Sequence, residues 1–334
     1  MNREIKRIID KKISGEKEIL GAFLIGSVAR GEYNERSDID LVFIKRRFQP
    51  RKKERMKGRV VDCIYFPLDF FKSSLSSSNV IQKGAVVFWL KNCRILYDPE
   101  NEIKGLVERV KGFRFSKKEI GDQLKLALVN LKRCENFIQR GRLIEALSHL
   151  RLSANFYANS ILMSKNETLL IPPKNLEVNL RKTDFYDLFL RIHSIRDVLK
   201  DELEENLKWL DRGIKDRYSK YKKTSRIQKE TKGRFEGMKS ELENAFDEFE
   251  KKNLKGSLLQ LRYSLDLFID VFLIEKMRVL SEEISERIEC LRHFQELFER
   301  YLKIQGFEEN SLRDVEDLLE DTKLKVKEFQ NQNL

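Results

Sequence analysis

The stretch from Gly26 to Leu41, which reads GSVARGEYNERSDIDL, constrains the fold of this 334-residue chain more than any other. The run before it, Ile19 to Ile25, is short, apolar and bounded by glycines, which favours a buried strand over a helix. Gly26 allows the backbone to turn sharply, and the next residues can begin a helical turn. Its free N–H groups, with the Ser27 hydroxyl and the Arg30 guanidinium, would then face an anion. The sequence therefore predicts a strand, a glycine turn and a phosphate-binding loop.

Three aspartates follow this turn. Asp38 and Asp40 are two residues apart at the start of an apolar run, so on a strand both carboxylates point to one face. Asp62 lies in a second strand-like run, Val60–Phe66. Carboxylates of like charge held side by side need a cation between them, and oxygen ligands suit Mg²⁺ or Mn²⁺ rather than zinc. The spacing predicts that Asp38 and Asp40 hold a metal ion, and Asp62 could complete a two-metal site.

The order of these features resembles the polymerase β-type nucleotidyltransferase superfamily in its minimal form. The family pattern is Gly-Ser-x-x-x-Gly, then Asp-x-Asp, then a third acidic residue on a neighbouring strand. In this chain the pattern and its minimal-subgroup additions fall on Gly26, Ser27, Arg30, Gly31, Ser37, Asp38, Asp40, Leu41 and Asp62. The resemblance covers residues 1 to about 110. It implies transfer of a nucleoside monophosphate from an NTP to an acceptor hydroxyl, with Gly26, Ser27, Arg30 and Ser37 binding the nucleotide.

The character of the sequence changes near residue 112. Residues 1–112 are predicted to form an α+β catalytic domain with a small mixed sheet. Beyond Ser116, apolar residues recur with the 3.6-residue period of amphipathic helices. We therefore predict an all-α helical bundle over 113–220 and a second helical module over 221–334. By resemblance, the first is of the HEPN or substrate-binding type.

An offset of 111 residues relates two parts of the helical region. It places His149–Ser153, which reads HLRLS, on Gln260–Ser264, which reads QLRYS. Two explanations stay open, a duplicated helical module and the chance match that any two amphipathic helices show at some offset.

The net charge of +12 is concentrated in two segments. Lys45–Arg59 holds nine basic residues and one acidic residue, and Lys220–Arg234 holds seven and one. The first segment links the strands of Asp40 and Asp62 and is predicted to be a loop. Such loops either hold a polyanionic acceptor such as RNA or serve only as solvated surface.

Other features limit the class of protein. Four scattered cysteines predict reduced core residues, three distant histidines argue against zinc, and no run is long and apolar enough to span a membrane. We therefore expect a cytoplasmic protein without a membrane partner, and the sequence does not indicate its oligomeric state.

Several functions remain open at this stage. The acceptor could be RNA, a protein hydroxyl or a small molecule of the aminoglycoside type, or the site could belong to a non-catalytic nucleotide-binding regulator. A toxin–antitoxin-like fusion with a HEPN ribonuclease is a further alternative, because the spacing of Arg142 and His149 is compatible with that family. Leu143 departs from it, since the family usually has a polar residue there.

Overall fold

A computed structural model of the protein describes the chain apart from residues 1, 17, 32–37, 57–58, 167–172, 222–227, 279–282, 309 and 334. The chain divides into two compact units, one formed mainly by Met1–Phe115 and the other by Ser116–Glu167 with Ile171–Leu334. The first is a mixed α+β unit and the second is all helical, which confirms the predicted fold class. The finer division into 113–220 and 221–334 stays a prediction.

The first unit is built on a five-stranded sheet in the order β3-β4-β2-β1-β5. The strands are β1 (Ile19–Ile25), β2 (Ile39–Lys45), β3 (Gln49–Met56), β4 (Arg59–Pro67) and β5 (Arg94–Tyr97). β1 runs antiparallel to β2 and β5, β2 is parallel to β4, and β3 is antiparallel to β4. The helices of this unit are α1 (Asn2–Gly15), α2 (Gly26–Arg30), α3 (Leu68–Ser76), α4 (Val80–Lys91) and α5 (Glu102–Lys111).

Alternation along β2 sends its side chains into two separate cores. Ile39, Leu41 and Phe43 pack with α1 on one face of the sheet. Val42 and Ile44 pack with α3, α4 and α5 on the other. Because β2 is buried on both faces, its sequence is a nearly continuous apolar run.

The prediction of a loop over the basic segment Lys45–Arg59 was wrong. Residues 49–56 form β3, which pairs with β4 along its length. β3 is an edge strand, and charged side chains on an edge strand hinder pairing with other sheets, so the strand has no apolar alternation to reveal it. Lys45 ends β2 and is buried, where it forms an ion pair with Glu16 and donates a hydrogen bond of 2.8 Å to Gln49.

The second unit consists of helices joined by short connections. They are α6 (Lys117–Gln139), α7 (Leu143–Ser164), α8 (Pro173–Leu180), α9 (Tyr186–Ile192), α10 (Lys200–Tyr221), α11 (Gln228–Glu250), α12 (Leu254–Met277), α13 (Ile284–Arg292), α14 (Gln295–Gln305) and α15 (Leu312–Asn333). In the part of the chain that the structure describes, no helix has the length and apolar character needed to cross a bilayer.

These helices form an internal repeat, in which α6–α10 are the first half and α11–α15 are the second half. α6 and α11 are both 23 residues long and begin 111 residues apart, whereas α10 and α15 are both 22 residues long and begin 112 apart. Side-chain hydrogen bonds repeat as well. Ser153 Oγ donates to the Ala127 carbonyl at 2.9 Å, and at the equivalent positions Ser264 Oγ donates to the Met238 carbonyl at 2.8 Å. The structure favours duplication over a chance match.

The two halves of the repeat exchange their last helices. α10 of the first half packs on α12 of the second, where the Arg217 guanidinium lies 5.0 Å from the centre of the Phe268 ring. α15 of the second half packs on α7 of the first, where Phe329 lies 5.7 Å from Tyr157. Tyr157 and Phe268 are equivalent residues of the repeat, so each half covers the same position of the other.

Two buried arginines join the halves at the centre of this unit. Arg151 Nε donates to the Ile192 carbonyl at 3.0 Å and its Nη1 donates to the Gln305 carbonyl at 2.7 Å. The equivalent Arg262 donates from Nε to the Ile304 carbonyl at 2.7 Å, and its Nη1 binds a carbonyl of the first half. Each arginine therefore binds the carboxyl-terminal region of a helix in both halves, as expected around a local twofold axis.

Candidate active site

The ends of β1, β2 and β4 bring the glycine turn and two of the aspartates together. Ile25 pairs with Asp40 between β1 and β2, and Asp40 pairs with Asp62 between the parallel strands β2 and β4. Residues in register on neighbouring strands point to the same face of a sheet. Both carboxylates therefore lie on the face covered by α3, α4 and α5, which we term the carboxylate face. Asp38 directly precedes β2.

Gly26 places the turn against one of these carboxylates. It begins α2 with a φ of +76°, and a Cβ added at this position would overlap Oδ2 of Asp40. Both the backbone angle and the close approach therefore favour glycine here. Ser27 is half-buried, and the exposed Arg30 lies 5.4 Å from the centre of the Phe88 ring in α4.

The structure brings some of the predicted nucleotide-binding and metal-binding residues together but not all of them. Gly26, Ser27 and Arg30 lie together in α2, whereas Ser37 lies outside the described residues. Asp38 and Asp40 are half-buried, and Asp62 has no accessible surface. Solvent therefore reaches the first two carboxylates and not the third.

The donor set of this site fits a hard cation. Among the described residues, no three Asp, Glu, His or Cys side chains are placed closely enough to hold a metal ion. Mg²⁺, however, is usually held by one or two carboxylates together with substrate phosphates rather than by a cage of protein ligands. The register pair of Asp40 and Asp62 supplies such oxygen donors, and the three-carboxylate site stays a prediction.

Two basic side chains of β3 share the carboxylate face, and sequence reasoning did not single them out. Lys53 pairs with Asp62, and Arg55 lies two residues further along the same strand; both are exposed. Their neighbours Lys52 and Glu54 lie on the opposite face, where a hydrogen bond from a lysine of α1 lowers the pKa of Glu54. Alternate residues of a strand point to opposite faces of the sheet, so a predicted strand over these residues would have placed Lys53 and Arg55 on one face and Lys52 and Glu54 on the other.

The cysteines offer no reactive thiolate to this site. All four are free thiols. Burial raises the pKa of Cys63 to about 11 and that of Cys134 to about 12, so both are protonated at neutral pH.

His149, the residue of the ribonuclease alternative, is a packed side chain in α7. It is 2% exposed, its Nδ1 lies 2.9 Å from Oδ1 of Asn130, and its ring stacks on Phe137. Arg142 is bound to Glu145 at 2.6 Å. Burial lowers the pKa of His149. The HEPN-like character of this region is not confirmed.

The second basic segment, Lys220–Arg234, spans the end of α10 and the start of α11. Residues 222–227 lie outside the described residues. Arg234 forms an ion pair of 2.7 Å with Asp270. This guanidinium is therefore engaged within the helical unit.

Comparison with known proteins agrees with the geometry of the first unit. The family described as "Polymerase beta, Nucleotidyltransferase" matches residues 5–88, which include the glycine turn and all three aspartates. The start of this chain is therefore similar to polymerase β-type nucleotidyltransferase domains.

The search of curated proteins finds no match. Among solved structures, a nucleotidyltransferase-like protein from Exiguobacterium sibiricum 255-15 is similar over 91% of this chain and 90% of its own, with 12% sequence identity and a TM-score of 0.41.

Proposed function

We propose that the nucleotidyltransferase domain transfers a nucleoside monophosphate from an NTP to an acceptor hydroxyl. The acceptor oxygen forms a bond to the α-phosphorus while the bond from that phosphorus to the bridging oxygen breaks, which releases pyrophosphate. One observation carries the proposal. Gly26, Asp40 and Asp62 meet at one end of the sheet, within the residues that match the family.

The residues of the site have distinct proposed roles. Asp38, Asp40 and Asp62 would hold Mg²⁺ or Mn²⁺ together with the phosphates of the NTP, and the metal would neutralise phosphate charge and acidify the acceptor hydroxyl. The Ser27 hydroxyl and the backbone near Gly26 bind the β- and γ-phosphates. Arg30 offsets negative charge on the departing pyrophosphate. Asp62 accepts the proton of the attacking hydroxyl.

RNA is the acceptor that we favour. Lys53 and Arg55 are exposed on the carboxylate face next to Asp62, so a polyanion bound along β3 would lie beside the reacting groups. A protein hydroxyl or a small-molecule acceptor remains an outcome of the experiment below.

The test is incubation of the purified protein with Mg²⁺ and each α-³²P-labelled NTP, with and without total RNA. We expect label in RNA and release of pyrophosphate, and we expect Asp40→Asn to abolish both. Asp10→Asn is the matched control, because Asp10 is exposed on α1 and α1 packs on the opposite face of the sheet. Retained turnover in Asp40→Asn would exclude the proposed role of this carboxylate.

Nucleotide binding without turnover is a second candidate, which the complete burial of Asp62 favours. Transfer requires the acceptor hydroxyl to reach Asp62, whereas binding of a nucleotide does not require that access. Retention of labelled NTP in equilibrium dialysis, with no pyrophosphate released in any mixture, would support this candidate over transfer. Pyrophosphate release that appears only when small hydroxyl compounds are added would instead indicate a small-molecule acceptor.

A further inference from the structure

A cavity lies beside the local twofold axis of the helical unit. Its volume is about 160 Å³, and Arg151 and Arg262, the two arginines that join the halves, are among its walls. The further equivalent pairs that line it include Asn155 with Asp266 and, at the offset of 112 that also relates α10 to α15, Phe189 with Tyr301 and His193 with Gln305. This position is remote in sequence from the nucleotidyltransferase motif, and the inference below does not rest on the proposed function.

At some positions that line the cavity, the two halves of the repeat carry the same residue, and at others they carry different residues. Each of the paired arginines donates to a backbone carbonyl of the opposite half, so folding explains why both positions are arginine. At the divergent positions, only the second half carries a connected polar group. Tyr301 Oη donates to Asp266 Oδ1 at 3.2 Å, and Gln305 Nε2 donates to the same oxygen at 3.3 Å.

This polar group places a partly buried carboxylate where the first half has an amide. Burial raises the pKa of Asp266, because the charged carboxylate has lost water. The first half fills the equivalent places with an amide and a phenyl ring, which need no buried charge.

The polar lining is open to a ligand. One third of the Asp266 side chain is accessible, at 33%, and the hydrogen bonds described above both reach Oδ1. Nε2 of His193, a residue that is 7% exposed, has no hydrogen-bond partner within the described part of the chain. The protein itself thus leaves hydrogen-bonding capacity unused around this cavity.

Size and charge restrict what could occupy the cavity. A cavity of about 150 Å³ accommodates a benzene ring, so this one suits a single ring or a small fused pair. Its walls include the rings of Tyr263 and Phe307, which suit a flat partner. The carboxylates near the cavity already have cationic partners, because Arg287 lies 3.6 Å from Asp266 and 3.5 Å from Asp270, and Arg234 lies 2.7 Å from Asp270. A neutral ligand leaves these ion pairs intact.

We propose that this axial cavity binds a neutral, planar heterocycle of nucleobase size. A ring N–H would donate to the carboxylate of Asp266, and a neighbouring ring nitrogen or carbonyl would accept from Arg287. The aromatic walls would contact its faces. Such an edge, with a donor beside an acceptor, is what distinguishes a nucleobase from a purely apolar ring of the same size.

Equilibrium dialysis of the full chain with labelled adenine, guanine, cytosine and uracil tests this. At least one base should bind at concentrations up to about 1 mM. Asp266→Asn should weaken that binding about tenfold or more, since it replaces the charged acceptor. Tyr301→Phe should weaken it less. Both substitutions introduce the residue that the first half already carries at the equivalent position, so the fold should tolerate them.

Asp317→Asn is the matched control, because Asp317 is exposed on α15 and does not line this cavity. Circular dichroism checks that each variant is folded. Absence of binding for all four bases would overturn the proposal. Undiminished binding to folded Asp266→Asn would also overturn it, as would binding lost in Asp40→Asn instead, which would place the base in the nucleotidyltransferase domain.

Discussion

At the scale of single residues, Gly26 is the position where the backbone and the chemistry of the candidate site meet. Gly26→Ala would force a positive φ on alanine and push its Cβ into the Asp40 carboxylate. We expect a loss of about 1–3 kcal/mol in the free energy of unfolding and loss of transferase activity, because Asp40 must move. Urea unfolding and the labelled-NTP assay measure the two effects.

Gly31→Ala is the matched control for this prediction. Gly31 also has a positive φ, of +80°, but a Cβ added there would meet no atom of the described residues within 4 Å. It should therefore show the backbone strain without displacing Asp40. Equal activity in the two variants would contradict the inferred contact.

Two buried histidines of the helical unit give a second prediction at this scale. Burial lowers the pKa of His149, and burial together with Arg151 and Arg262 lowers the pKa of His193 well below its usual value. As the pH falls through about 6.5, the unfolded chain takes up protons that the folded chain does not, so stability falls. Each histidine contributes at most about 1.4 kcal/mol per pH unit, until its folded-state pKa is reached.

The repeat supplies the variant that tests this. The equivalents of His149 and His193 in the second half are Gln260 and Gln305, and Gln260 Nε2 donates to Glu241 at 2.7 Å much as His149 bonds to the equivalent Asn130. The double variant His149→Gln and His193→Gln should fold and should lose less stability between pH 7 and 5.5 than the unaltered protein. Chemical unfolding at the two pH values measures the difference. An identical loss in both proteins would contradict the assignment.

At the scale of elements, β3 divides its basic residues between two faces of the sheet. Lys53→Ala with Arg55→Ala removes two exposed charges from the carboxylate face, whereas Lys52→Ala removes one from the opposite face. The double variant should weaken RNA binding and reduce the slope of log affinity against log salt by roughly 1 to 2, since each lost phosphate contact lowers it by about 0.7–0.9. Fluorescence anisotropy at several salt concentrations measures this. Lys52→Ala should bind like the unaltered protein, and an equal effect of all substitutions would indicate nonspecific charge attraction.

The elements also show what the sequence could predict. β1, β2 and β4 were predictable because they are apolar runs buried in the sheet. The two-residue period correctly placed the Asp40 side chain on the face of β2 that faces away from Ile39 and Leu41. β3 was not predictable in this way, because Gln49–Met56 lies at an edge and is almost entirely polar. The sequence also could not predict how close Asp40 and Asp62 lie, because that distance depends on the pairing register of β2 and β4 and not on their spacing along the chain.

At the scale of the whole chain, the offset of 111 residues left a repeat and a chance match open, and it did not reveal the exchange of helices between the halves. The period of an amphipathic helix shows that it has an apolar face and does not show which helix covers that face. The apolar face of α10, formed by the buried Leu203, Leu207 and Leu210, could pack on either half as far as its sequence shows. Only the contacts of α10 with α12, and of α15 with α7, show that each half is completed by the other.

This exchange predicts the behaviour of a chain cut between its halves. If a protease site is inserted between α10 and α11 and then cleaved, the two fragments should stay associated in native buffer and separate only in denaturant. The physical reason is that separation would expose the apolar faces of α10 and α15 and the surfaces that they cover, and would break the bonds of Arg151 and Arg262 to the opposite half. Size-exclusion chromatography of the cleaved protein, with circular dichroism of any separated fragment, measures this. Elution of two separate and fully helical fragments would mean that each half is complete alone, which is what an end-to-end pair of independent modules would give.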